Sequence, residues 1–170
     1  AMDDARFATM RADLAADIQD NAYWVERRIL FRHGDGTTSQ GFIDLYRRAC
    51  HVLECKQTGL EFDTRSWDKA RLRAYGQAVQ YVRALPPTEG RPPLVVVVDV
   101  GRSLELYSEF SRSGAYIPFP NPRSHRICLE DLRRPEIRAR LQAVWLDPPR
   151  LAAAPGSEPA AAVADRGGGV

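Results

Sequence analysis

Residues 41–57 read GFIDLYRRACHVLECKQ, and the fold reading starts from them. Residues 51–56 (HVLECK) are short, apolar and without helical period, which predicts a strand. Side chains two apart on a strand share a face. Val52, Glu54 and Lys56 therefore point one way, and Leu53 and Cys55 the other. An acid and a base side by side on an apolar strand are costly to bury unless they are paired or bind a metal. Asp44 lies between the apolar Ile43 and Leu45 on the preceding strand, residues 41–46. An adjacent strand can bring it beside Glu54. Under simple pairing the two acids share a face only if the connecting loop has an odd number of residues, or if a bulge intervenes. An even loop sends them to opposite faces.

Residues 23–33 read as the strand before this pair, joined to it by the turn signal Gly34-Asp35-Gly36-Thr37. Upstream, Phe7, Met10, Leu14 and Ile18 recur at helical spacing over residues 3–19. Downstream, residues 67–85 carry a helical apolar stripe of Tyr75, Ala78, Val79, Val82 and Leu85, ended by Pro86-Pro87. LVVVV (residues 94–98) reads as a buried strand over 94–100, and 104–110 as another. Residues 111–123, rich in Pro, Gly and aromatics, read as an ordered loop. Pro135 suits a first helical position, followed by Ile137, Leu141, Val144 and Trp145. Residues 1–148 then form one domain, and the Ala-, Pro- and Gly-rich residues 149–170 a disordered tail or linker. Strands with helices between and around them predict an α/β fold, a central mixed sheet flanked by helices.

Composition excludes several classes. The chain is 44% apolar and 27% charged, ordinary for a soluble domain, and no apolar run is long enough to span a membrane. The acidic, mixed N-terminus is not a secretory signal, and Ala1 ahead of Met2 reads as an expression scar. A net charge of +2 argues against polyanion binding by the whole surface but leaves room for a local basic patch. Cys50, Cys55 and Cys128 form no C-x-x-C pair. That speaks against structural zinc and fits a reducing, cytoplasmic setting. Lys56 and Lys69 are the only lysines among 24 basic residues, so a lysine on an apolar strand is informative.

The chemistry that suits Asp44, Glu54 and Lys56 is phosphodiester hydrolysis. Two carboxylates are hard oxygen ligands for Mg2+, with Mn2+ as a substitute, and the Cys55 carbonyl is a further oxygen donor. Such an ion polarises the scissile phosphate and lowers the pKa of an attacking water. Lys56 stabilises the developing negative charge or orients that water. Arg47 and Arg48 are candidates for phosphate contacts, and Gln57, directly after the strand, could reach substrate or simply end the strand.

Asp44 followed by Glu54-Cys55-Lys56 resembles the D-x(n)-E-x-K signature of the PD-(D/E)xK nuclease superfamily. More narrowly, residues 41–57 resemble the N-terminal nuclease domains of large single-chain restriction–methylation enzymes, the MmeI-like family. The likeness continues through WDKARLRAYGQAVQYVRALP (67–86), RPPLVVVVDVGR (91–102) and HRICLEDL (125–132). It covers residues 22–148 and is most specific in the Asp–Glu–Lys segment. It implies a restriction-endonuclease-like core and a Mg2+-dependent endonuclease acting on double-stranded DNA, with a homodimer as one way to cut both strands. Gln77 and Tyr81, four apart on one helix, resemble the Q-x-x-x-Y motif of RecB-like members. The analogy has them orient the site or touch a DNA phosphate; a tyrosine at a stripe margin equally reads as core with its hydroxyl at the surface.

This sequence departs from the pattern in two ways. An acidic ligand in the first helix, present in some RecB-like members, has Asp13, Asp17 and Glu26 as candidates here. The methyltransferase and target-recognition domains of restriction–methylation enzymes have neither motif nor room in this chain, which reads as an excised domain or a standalone relative. The alternative function is a catalytically inactive module of the same fold that binds DNA or a partner protein. Asp99 reads as a turn cap, His33 and His51 as surface strand residues, and Arg123, His125 and Arg126 as part of a loop packed on the core.

Overall fold

The computed structural model describes residues 23–111 and 113–152. The segment expected to be helical at 3–19, and with it Asp13 and Asp17, lies outside them. β1 (Tyr23–Arg32) and β2 (Thr38–Arg47) form a hairpin, and β3 (His51–Lys56) returns beside β2. Helix α1 (Arg65–Ala84) then crosses to β4 (Leu94–Asp99), which pairs with β3 in parallel. β5 (Ser103–Ser108) runs antiparallel to β4, and β6 (Ile117–Pro118) and β7 (Arg126–Cys128) both pair with β5. Helices α2 (Pro135–Leu146) and α3 (Pro148–Ala152) close the described chain. The result is one mixed seven-stranded sheet in the order β1-β2-β3-β4-β5-β6, with β7 also on β5.

Helix α1 starts where Thr64 accepts a side-chain hydrogen bond from the Trp67 N–H at 3.3 Å. It stops where the Leu85 N–H turns back to the Tyr81 and Val82 carbonyls ahead of Pro86. Its stripe of Ala74, Ala78, Val79, Tyr81 and Val82 packs on one sheet face, against Ile43, Tyr46, Val52, Val95 and Val97. The other face buries Leu53, Leu94, Val96 and Leu106 against Ile137, Ala143 and Val144 of α2 and Leu151 of α3. β4 is covered on both sides, which explains its unbroken apolar run.

Some expectations need correction. Leu151 is buried and sits in α3, so residues 149–152 belong to the folded unit and are not the start of a tail. The region read as loop contains the two-residue β6, and β7 follows it; both are too short to show alternation. His33 is at the surface as expected, but His51 is fully buried, its ring 4.8 Å from that of Trp145.

One irregularity in the hairpin positions Asp44. Near the β2–β3 turn, Trp24 and Tyr46 lie on the α1 side, and Leu45 lies on the α2 side. Beyond Glu26 and Asp44 it is Ile29, Phe31 and Ile43, odd-numbered positions, that face α1. Alternation therefore reverses at this step, where Glu26 adopts a left-handed φ of 49°. β1 and β2 pair on both sides of it, at Val25↔Leu45 and Arg27↔Ile43, whereas β2–β3 pairing ends at Leu45↔Leu53.

Candidate active site

The β2–β3 connection is residues 48–50, an odd number, and the register is Leu45↔Leu53, Tyr46↔Val52, Arg47↔His51. Pairing stops there, one register step short of Asp44 and Glu54, yet the Asp44 charge still bears on the Glu54 carboxyl. Because β2 departs at this point, the Cys55 N–H on the β2 side of β3 meets a side chain in place of a ladder carbonyl. Asp44 Oδ2 accepts from it at 2.6 Å. The departure of the strand thus fixes the carboxylate. The Cys55 carbonyl points to the same edge as its N–H, as in any strand.

Glu54 is 1% exposed, and Lys56 donates from Nζ to Glu54 Oε1 at 2.6 Å with its own side chain 37% exposed. Burial raises the proton affinity of the Glu54 carboxyl; the Lys56 hydrogen bond opposes this and the Asp44 charge adds to it. For Lys56, burial works against the charge, but the Glu54 hydrogen bond and the charges of Glu54 and Asp44 outweigh it and raise the pKa. Glu54 Oε2 is buried and has no hydrogen-bond partner. A buried acceptor left this way is expensive.

Gln77 and Tyr81 meet each other on α1, Gln77 Nε2 donating to the Tyr81 hydroxyl at 2.7 Å. Tyr81 is buried, its ring stacks on Phe31 at 5.8 Å, and it is close enough to Lys56 to bear on that amine's charge. Gly41 makes room for it: a Cβ there would lie 2.6 Å from Tyr81 Cε1 and 3.0 Å from its hydroxyl oxygen. The first residue of the 41–57 stretch is therefore glycine for a steric reason, and Tyr81 is both core and neighbour of the site.

The other candidates fall elsewhere. Arg47 is paired with His51, so it lies at the opposite end of β3 from Lys56, roughly 16 Å away along the strand. Its guanidinium sits 5.0 Å from the Tyr23 ring, and that of Arg48 5.3 Å from Trp24. Both are held by aromatics of β1, away from the acids. Gln57 is exposed just past β3. Glu26 stands at the hairpin step, across from Asp44. Asp99 accepts from Trp67 Nε1 at 2.5 Å, which pins the start of α1 to β4.

Sequence reading missed a buried ionic cluster beside this region. Arg71 donates to the Val97 carbonyl at 2.9 Å and pairs with Glu105 at 3.5 Å. Arg126 bridges Glu105 and Asp68, with its guanidinium 4.5 Å over the Trp67 ring. The signal was present, since Glu105 lies between Leu104 and Leu106 as Asp44 does between Ile43 and Leu45. Arg126 belongs to this cluster and to β7 rather than to a loop.

Asp44, Glu54 and the Cys55 carbonyl are all oxygen donors at one strand edge, and Glu54 Oε2 lacks a partner, so the donor set fits a hard divalent cation. No cluster of three or more His, Cys, Asp or Glu suited to a metal occurs among the described residues. An ion there would keep several waters, which is ordinary for Mg2+. Among the described residues no helix is long and apolar enough to cross a membrane.

No curated protein and no solved structure matches the chain. It does match, over residues 11–156 and thus most of its length, the family described as MmeI, N-terminal domain, and the chain belongs to that family.

Proposed function

We propose that this chain is a metal-dependent DNA endonuclease domain of a restriction–modification system, with a PD-(D/E)xK core formed by β1–β4 and α1. The observation that carries the reading is the convergence of Asp44, Glu54 and Lys56 where β2 leaves β3, together with the orphaned Glu54 Oε2. Family membership supports the restriction context.

Asp44, Glu54 and the Cys55 carbonyl would hold Mg2+, and Mn2+ in its place. When bound, the ion supplies a Lewis acid for the scissile phosphate and a more acidic water. Lys56, the only cation hydrogen-bonded to Glu54 among the described residues, is partly exposed and can turn its charge toward phosphate oxygen as negative charge develops there. Tyr81 lies near enough to bear on the Lys56 charge, and Gln77 holds the Tyr81 hydroxyl; both act as positioning residues. Double-stranded DNA is the substrate. A methyltransferase and a target-recognition domain, in the same chain or system, provide modification and site choice, and a homodimer supplies two cuts.

The test is incubation of duplex DNA with the protein and Mg2+ or Mn2+, beside Asp44→Ala and Lys56→Ala, with Mn2+ binding followed by calorimetry. Cleavage by the parent, a loss of about 100-fold or more in both variants, and loss of Mn2+ binding in Glu54→Ala are expected. Cleavage that needs no metal, or that survives both substitutions, refutes the assignment. Metal and DNA binding without cleavage returns the chain to the inactive-module alternative.

A further inference from the structure

Beyond the Glu26/Asp44 step the hairpin stands clear of β3 as a two-stranded ribbon, paired from Arg27↔Ile43 to Arg32↔Thr38. Its α1 side is covered: Ile29 and Ile43 are buried, and Phe31 and Gly41 lie against Tyr81. Alternation then puts Arg28, Leu30, Arg32, Gln40 and Phe42 on the other side. All five are exposed, Leu30 at 56% and Phe42 at 46%. Arg28 and Phe42 are direct cross-strand neighbours.

Among the described residues the charge on this face is uncompensated. Asp35 is the only acid in residues 27–43, and it is occupied in the turn by the Thr37 N–H and hydroxyl. Arg27 is neutralised by Glu89 on the covered side. Arg28 and Arg32 make no ion pair among the described residues. Two free guanidinium groups about 13 Å apart along one strand, with apolar side chains between and beside them, match a polyanion that also offers apolar surface. They do not match an apolar protein partner, which would leave both charges buried and unpaired.

We propose that this face is a docking surface for duplex DNA, with the ribbon lying along a groove, Arg28 and Arg32 on phosphates, and Leu30 and Phe42 against sugars and base edges. The major groove is wide enough for a two-stranded ribbon. The proposal rests on the nuclease reading for its choice of polyanion, and the ribbon leads directly into Asp44, which follows Ile43. A chain of net charge +2 then binds DNA locally rather than over its whole surface.

The experiment is fluorescence anisotropy with a labelled mixed-sequence duplex of about three helical turns, in chelator, across a salt series. The parent is compared with Arg28→Ala/Arg32→Ala, with Arg28→Lys/Arg32→Lys, and with Arg133→Ala/Arg150→Ala, which removes equal charge elsewhere. The first variant is expected to lower the slope of log affinity against log salt by about 2 and to weaken binding roughly 10- to 100-fold at about 0.1 M salt. The lysine variant keeps the slope, and the distant variant behaves like the parent. Both arginines are exposed, so thermal melts should coincide.

An unchanged slope in the first variant overturns the proposal. So does equal or better binding of the single strand, or a parent that binds no duplex at low salt. Metal-dependent cleavage, with its loss in Asp44→Ala and Lys56→Ala, reports separately on the nuclease reading. Ribbon-dependent binding without cleavage leaves the docking surface standing alone; cleavage indifferent to Arg28 and Arg32 does the reverse.

Discussion

Acidification should destabilise this protein through His51. The ring is fully buried at the start of β3, beside Trp145 and Tyr23, with the Val144 backbone nearby but neither ring nitrogen in a hydrogen bond of normal geometry among the described residues. Burial lowers its pKa to about 4 from an ordinary 6.5; the Val144 backbone opposes the shift and the nearby Arg47 charge adds to it. The neutral form is therefore the native one. Above 6.5 neither folded nor unfolded chain holds the proton, and the stability is fully present. Between 6.5 and 4 the unfolded chain is protonated and the folded chain is not, so stability falls as pH falls. A depression of this size corresponds to about 3 kcal/mol in all, of which about 2 kcal/mol is lost by pH 5. That is a substantial share of the roughly 5–15 kcal/mol that holds a domain together. Urea midpoints of the parent and of His51→Phe, taken at about pH 7.5 and about pH 5, measure it. Whatever constant offset the phenylalanine introduces cancels between the two pH values. The parent should lose about 2 kcal/mol more than the variant on acidification. Parallel pH curves would show that His51 does not titrate as its burial requires.

Two further expectations concern the hairpin. Gly41→Ala should cost about 1–3 kcal/mol by overpacking against Tyr81, and much less in a Tyr81→Ala background, as a denaturant double-mutant cycle would reveal. Equal costs in both backgrounds would refute the contact. Glu26→Val exchanges a weak strand former for a strong one, yet should destabilise by about 1–2 kcal/mol because a β-branched residue resists the left-handed backbone; a raised urea midpoint would count against the step.

Elements with strong local signatures were legible. The bounds of β3 coincide with residues 51–56, and α1 at Arg65–Ala84 lies within two residues of the expected 67–85. Loop parity correctly made the Asp44–Glu54 juxtaposition conditional. The reversal at Glu26 was not legible, because a left-handed backbone at a non-glycine residue leaves no mark in composition. Nor was the fate of Arg47 and Arg48, which neighbour Asp44 in sequence but are drawn by a three-residue turn onto Tyr23 and Trp24. His51 looked polar enough for the surface, but α2 covers it from about ninety residues downstream. Such coverage cannot be read from a strand's own pattern.

The parallel pairing of β3 and β4 sets an order of assembly. Strands β1, β2 and β3 are joined by tight turns, and Asp44 reaches Cys55 across only 11 positions. The α1 crossover must close a far longer loop before β4 can pair, and such non-local closure is slow. The two acids can therefore come together early in folding, while Gln77 and Tyr81 arrive only with the late docking of α1. Until then the meander carries its metal-ligand candidates without the wall that encloses them, so a divalent cation present during refolding should change the rate at which this chain reaches its native state.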